Sequence, residues 1–411
     1  MKFDKFTLNN GLKVIVHNDA TTPLVAINLL YNVGARDEQP DKTGFAHLFE
    51  HLMFGGSANI PEYDSELQLA GGENNAYTTN DVTNYYITIP KQNMETGFWL
   101  ESDRMLDLAF SEKSLEVQRG VVSEEFKQRY LNRPYGDVGH LMRPLAFKQH
   151  SYQWPTIGKD LSHIENATMD DVKAFFHKYY SPNNAILSVA GDVTRAEIER
   201  LANKWFGTIP NRNTVKNILP EEPKQTEQRR LEVVRKVPYN SLFMGFHMGK
   251  RMDADYYGVD LLSDVLSNGN SSRLYRRLVQ EKKIFSTIDA YIWGSTDNGL
   301  FEFTGRPVDG ISLKRAEAEI WNEIELIKNE LVTDYELQKV KNKVESTLVF
   351  GDINVLSKAE NLARYELLGS ADLINTDIDN YNAVTKDAII TAAQKIFVPE
   401  NASVLHYLAE K

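Results

Sequence analysis

The chain of 411 residues is long enough for two domains with a proper core each, and 42% hydrophobic and 25% charged residues are the balance of an ordinary globular protein. Lys and Arg number 46 against 57 Asp and Glu, a net charge of −11 with no basic stripe, so nucleic acid is not an expected partner. Cysteine is absent, which excludes disulfides, thiolate nucleophiles and thiolate ligands and leaves any metal to His, Asp and Glu.

The opening stretch MKFDKFTLNNGLKVIV places Asp4 and a polar turn where a signal peptide needs an unbroken apolar run, and no segment approaches the length of a membrane span. The expectation is a cytoplasmic chain with no membrane partner. Leu24 to Tyr31 (LVAINLLY) reads as a strand ending in a turn, and Gly44 then opens the helix GFAHLFEHLMFGG. His47 and His51 stand four apart, so a helix projects both imidazoles from one face at the spacing a single zinc ion requires. Two neutral imidazoles and a third ligand leave one coordination position for water, whose pKa zinc lowers to about 7. Glu50, one residue before the second histidine, is placed to act as general base without joining the metal, and the order H-x-x-E-H is the inverted zincin pattern.

The third ligand should be a carboxylate from another helix, and the acidic segment 111–131 (SEKSLEVQRGVVSEEFKQRYL) follows in the same half. On a helical wheel Glu124 falls on the stripe of Val117, Val121 and Leu131, which points it into an apolar interior where zinc would supply the partner a buried carboxylate needs. Glu112 and Glu116 fall off that stripe, and Glu125 sits at its edge. The half closes with a helix, a proline and a strand in FFHKYYSPNNAILSVAG.

The segment 209–229, rich in Pro, Asn and charge, reads as a linker. Beyond it the same order of features returns: a strand at Leu242 to His247, a helix GVDLLSDVLSNG opened by Gly258, a charged helix from Leu313 to Leu331, and a closing AAQKIFVPENASVLHYL around Pro399. Aligning Gly44 with Gly258 sets Leu261, Asp264 and Val265 opposite His47, Glu50 and His51. A core can therefore be built at this position without histidines, so the two here need a chemical reason. The expected fold is α+β: two homologous α/β domains, residues 1–208 and 230–411, each a sheet covered by helices, with the metal motif only in the first.

These residues resemble the pitrilysin, insulysin and mitochondrial processing peptidase family, whose members carry H-x-x-E-H and a glutamate further along. The likeness extends over GGENNAYTTNDVTNYY, QRGVVSEE, HSYQWPTIG and NGNSSRLYRRL. It implies a Zn2+-dependent endopeptidase acting on peptide substrates, with the first glutamate of VVSEE, Glu124, as metal ligand. In relatives a glutamate seven residues earlier supports a ligating histidine. That position is Val117 on this alignment, with Glu116 beside it. The resemblance also makes Asn75, Ala76 and Tyr77 an edge strand to which an extended peptide adds by main-chain hydrogen bonds. From composition alone, Gly71 and Gly72 would predict a turn.

One segment departs from the pattern. Relatives use R-E-x-x-G-x-x-Y after the NSSRL-type helix, its Arg and Tyr binding substrate and stabilising the oxyanion, whereas this chain has Gln280 and Thr287 at those positions. The resemblance thus implies the zinc-bearing subunit of a two-chain enzyme, a heterodimer with a homologous partner carrying the Arg/Tyr pair. The alternatives are a self-sufficient homodimer and a non-catalytic structural member of the family.

Overall fold

The computed structural model describes residues 1–410 and contains two mixed sheets with helices against them. The first has six strands: β1 (Asp4–Thr7), β2 (Lys13–Asn18), β3 (Leu24–Tyr31), β4 (Glu73–Thr78), β5 (Thr83–Pro90) and β6 (Ala185–Gly191), in the order β1-β2-β6-β3-β5-β4. The second has five: β7 (Arg229–Arg235), β8 (Ser241–His247), β9 (Phe285–Trp293), β10 (Leu300–Pro307) and β11 (Ala402–Ala409), in the order β7-β11-β8-β10-β9. Setting β1 aside, the two orders superpose strand for strand. Even the single parallel pair recurs, β2 with β6 and β7 with β11, which is the duplicated unit expected from the sequence.

The strand β3 occupies Leu24–Tyr31, and seven of its eight residues are buried because both faces of the sheet are covered. In each half the closing proline starts a 3-10 turn, Pro182–Asn184 or Pro399–Asn401, where its fixed φ suits the first helical position, and the last strand follows at once. The helix Tyr256–Ser267 buries Leu261 and Val265 in the core of the second sheet, as the alignment with His47 and His51 required.

Contacts divide the chain differently from the boundaries expected at 208 and 230. One compact unit comprises Met1–Arg129, Trp154–Leu219 and Val349–Asn375; the other comprises Tyr130–Gln153, Pro220–Leu348 and the chain from Thr376 onward. The physical reason is the uncovered sheet face in each half. In the first unit the helix Val355–Leu367, from late in the sequence, lays Val355, Ala359, Leu362 and Ala363 on Ala26, Leu30, Ile186 and Ala190. In the second unit the helix Val138–Ala146, from early in the sequence, sets Met142 against Leu405 and Tyr407, and a Cβ at Gly245 would lie 2.7 Å from Met142 Cε. Each buried Leu in such a face contributes about 1.5–3 kcal/mol. The segment expected as a linker carries no helix or strand between residues 210 and 228, and its last residue begins β7.

Candidate metal centre

The helix Phe45–Leu52 starts at Gly44, whose φ of 87° and close approach to the Ile157 carbonyl, 2.6 Å from an added Cβ, exclude a side chain. No hydroxyl caps this helix. Instead the buried carboxylate of Glu38 accepts the Gly44 and Ala46 N–H groups at 2.9 and 2.8 Å. Phe45, Leu48, Phe49 and Leu52 fill the core, with Phe49 stacked on Phe176 and tilted against Tyr180, so the opposite stripe presents His47, Glu50 and His51.

The two imidazoles lie edge to face, ring centres 4.9 Å apart, and the Nε2 atom of each stands 3.7 Å from Oε2 of Glu125. One ligand atom from each of the three residues can be chosen so that all lie within 4.8 Å of one another, the one such His and acidic group among the described residues. At 3.7 Å these atoms are too far apart for hydrogen bonds. Ligands about 2.1 Å from a tetrahedral zinc stand about 3.4 Å apart, so the spacing suits one ion. Burial pushes the His47 imidazole down to about 3, with His51 and then Arg129 acting in the same direction, and burial lowers His51 as well. Both rings are then neutral at pH 7, the form a metal binds.

Glu125 occupies the place expected for Glu124. The Glu124 side chain is 62% exposed and forms an ion pair with Lys127 Nζ at 2.9 Å. Two apolar stripes run along the helix Glu112–Phe126. The one chosen from the wheel, Val117 and Val121 with Leu131, faces solvent, while Leu115, Val122 and Phe126 face the core. The wheel also assumed a regular helix as far as Leu131, but from Lys127 to Leu131 the chain forms a π-helical turn, which takes Leu131 out of register. That turn brings Arg129 Nη1 to Oε1 of Glu125 at 2.7 Å, leaving Oε2 for the histidines. The supporting position moves as well: seven residues before Glu125 stands Gln118, near enough to the His51 imidazole to favour its protonated form.

Glu50 lies beside the cluster without joining it. Thr78, the last residue of β4, donates its hydroxyl to Glu50 Oε2 at 2.5 Å. Burial raises the Glu50 pKa, the Thr78 hydrogen bond opposes that, and Glu125 adds to it, which suits a carboxylate that must exchange a proton. Asn75, Ala76 and Tyr77 lie on β4, which is an edge strand, and the Ala76 N–H finds its acceptor in the Asn75 side-chain oxygen at 2.8 Å. Glu38, Thr78, Gln118 and Arg129 were not found by sequence reasoning. Only Gln118 carried a signal, since it shares the face of Leu115, Val122 and Glu125. In the other unit Gln280 is exposed at the end of the helical turn Tyr275–Glu281, and Thr287 is exposed on β9 opposite Arg306.

Residues 13–134 match the family described as Insulinase (Peptidase family M16), and residues 166–344 match the one described as Peptidase M16 inactive domain. The zinc protease PqqE of Helicobacter pylori is 32% identical over 347 residues, 83% of this chain and 78% of that protein. An uncharacterized zinc protease of Bacillus subtilis, YmxG, is 24% identical over 98% of this chain and 97% of its own length. Among solved structures, a protease from Helicobacter pylori matches with a TM-score of 0.92 and 27% identity over 99% of both chains.

Proposed function

From the premise that the chain belongs to the insulinase family of peptidases, M16, we propose that it is a zinc-dependent endopeptidase with His47, His51 and Glu125 as ligands and Glu50 as general base. The observation that carries this reading is the convergence of two neutral imidazoles on one carboxylate oxygen, with a second carboxylate of raised pKa beside them. Zinc, when bound, supplies the Lewis acidity that makes water a nucleophile near neutral pH. Thr78 holds one oxygen of Glu50, so the other is available to take a proton from the attacking water and return it to the leaving amine. The open edge of β4 supports a substrate held as an added strand, in which main-chain hydrogen bonds give affinity without regard to side chains.

Gln280 and Thr287 favour a division of labour. A neutral amide and a small hydroxyl supply no charge to an oxyanion, and losing one oxyanion donor costs about 100- to 1,000-fold in turnover. The chain would then act as the zinc-bearing subunit beside a homologous one with the Arg/Tyr pair. A second reading has one observation in its favour: directly across from Thr287 on β10 stands Arg306, its guanidinium 5.1 Å from the Tyr239 ring and 5.9 Å from that of Tyr135. An arginine and two tyrosines beside the altered position would suit a self-sufficient chain.

Hydrolysis of quenched fluorescent peptides separates the two. The zinc-loaded chain alone is expected to turn over slowly, to gain at least 100-fold with a homologous Arg/Tyr subunit, and to lose activity in Glu50→Gln with zinc retained. Full activity alone, abolished by Arg306→Ala, would favour the self-sufficient chain. Peptidase activity unchanged in Glu50→Gln would contradict both.

A further inference from the structure

The two faces of the sheet differ at the β4 edge. Ala76 and Thr78 lie on the face of the helix Phe45–Leu52, where Thr78 meets Glu50; Asn75 and Tyr77 lie on the other, the face covered by the helix Val355–Leu367. On that second face Tyr77 pairs with Asn84 and Asn75 with Tyr86, and Asn84 Nδ2 donates to Glu360 Oε1 at 3.3 Å. Glu360 therefore stands over the outermost pair of strands, half-buried, where no Lys, Arg or His among the described residues lies within ion-pair distance. Its single hydrogen bond comes from a neutral amide that also serves Asn28 Oδ1 at 2.8 Å. The other carboxylate of that helix, Glu366, pairs with Lys5 and Lys13, and Asp372 beyond it pairs with Lys5. Arg364, one turn beyond Glu360, is exposed.

A half-buried carboxylate without a cation costs free energy unless something charged completes it. Burial raises the Glu360 pKa; burial first and then the nearby Glu360 charge raise the phenols of Tyr77 and Tyr86, Tyr77 to about 12, with Arg364 opposing at Tyr77. Side chains of a strand added to β4 alternate between the two faces. Where one residue of the peptide lies over the helix Phe45–Leu52, its neighbour lies beside Tyr77, within roughly 5 Å Cβ to Cβ of it when directly opposite. A four-carbon or guanidinium side chain there can run along the tyrosine ring and end at the carboxylate.

We propose that Glu360, flanked by Tyr77 and Tyr86, forms a subsite for a Lys or Arg side chain of the peptide added to β4, an inference that rests on the strand-addition reading given above. The site makes the substrate class basic peptides, with the cationic residue adjacent in sequence to one that lies over the metal helix. Its recognition is a charge-assisted hydrogen bond from the ammonium or guanidinium to Glu360, with the ring of Tyr77 excluding water from one side.

The test measures fluorescence anisotropy of labelled ten-residue peptides on zinc-loaded Glu50→Gln protein, which binds without cleaving. Lys, Gln and Glu are scanned through each position. At one position Lys is expected to bind at least ten-fold more tightly than Gln, and Glu more weakly than Gln. That spread should collapse when Glu360→Gln is added, a near-isosteric change that keeps an acceptor for Asn84. Ala76→Pro should weaken all peptides together. Equal affinities at every position, or a Lys preference that survives Glu360→Gln, with binding still lost in Ala76→Pro, would overturn the subsite and leave strand addition standing. Binding that ignores Ala76→Pro, or no binding at all, would overturn strand addition itself.

Discussion

The side chains around Glu50 show how a general base is set by its neighbours. Burial and the nearby Glu125 favour its protonated form, and the Thr78 hydroxyl favours the ionised one while fixing which oxygen faces away from the strand. Thr78→Val keeps the shape and removes the donor. A hydrogen bond to a charged group contributes about 1.5–3 kcal/mol, so turnover should fall roughly ten-fold or more with zinc content unchanged, since neither residue is a ligand. The measurement is kcat for peptide hydrolysis beside metal analysis of the same sample. Zinc lost in this variant would mean that Thr78 supports the metal helix rather than the base.

At the scale of elements, the strands and the metal helix were legible because their patterns are strong: LVAINLLY is a continuous apolar run bounded by turns, and His47, Glu50 and His51 form a motif with a fixed geometry. The acidic helix was not, because Val117-Val121 and Leu115-Val122 are both apolar stripes and a sequence does not say which one faces the core. The choice moves the candidate ligand by one residue, from Glu124 to Glu125. Nor could the sequence reveal that the helix Val355–Leu367 covers the first sheet, since its apolar face matches any sheet equally well. What fixes it there includes a polar contact, in which Asp19 accepts from Lys358 Nζ at 2.5 Å and from Thr21. The hydrogen bonds from Lys358 and then Thr21 hold the Asp19 carboxyl well below its usual range. A depressed carboxyl pKa stabilises the fold above its unfolded value near 3.9, and that contribution is lost as the pH falls below it. Asp19→Asn should therefore cost about 2 kcal/mol at pH 7, and less as the pH drops below about 4. Urea denaturation at pH 7 and pH 3 checks this; an equal difference at both would place the effect in packing rather than charge.

On the scale of the whole molecule, one architecture is written twice, and the cluster of His47, His51 and Glu125 stands in one copy. The second sheet repeats the strand order of the first, and the helix aligned with the metal helix carries Leu261 and Val265 buried in its core. Duplication therefore does not imply two metal sites. The proposed function rests on a single zinc per chain, held by His47, His51 and Glu125. The most direct measurement is zinc stoichiometry on purified wild-type, Glu125→Gln and Glu124→Gln protein. Wild-type and Glu124→Gln protein should each hold about one zinc per chain, and Glu125→Gln almost none. Zinc retained by Glu125→Gln and lost by Glu124→Gln would contradict it, as would a wild-type chain that binds no zinc.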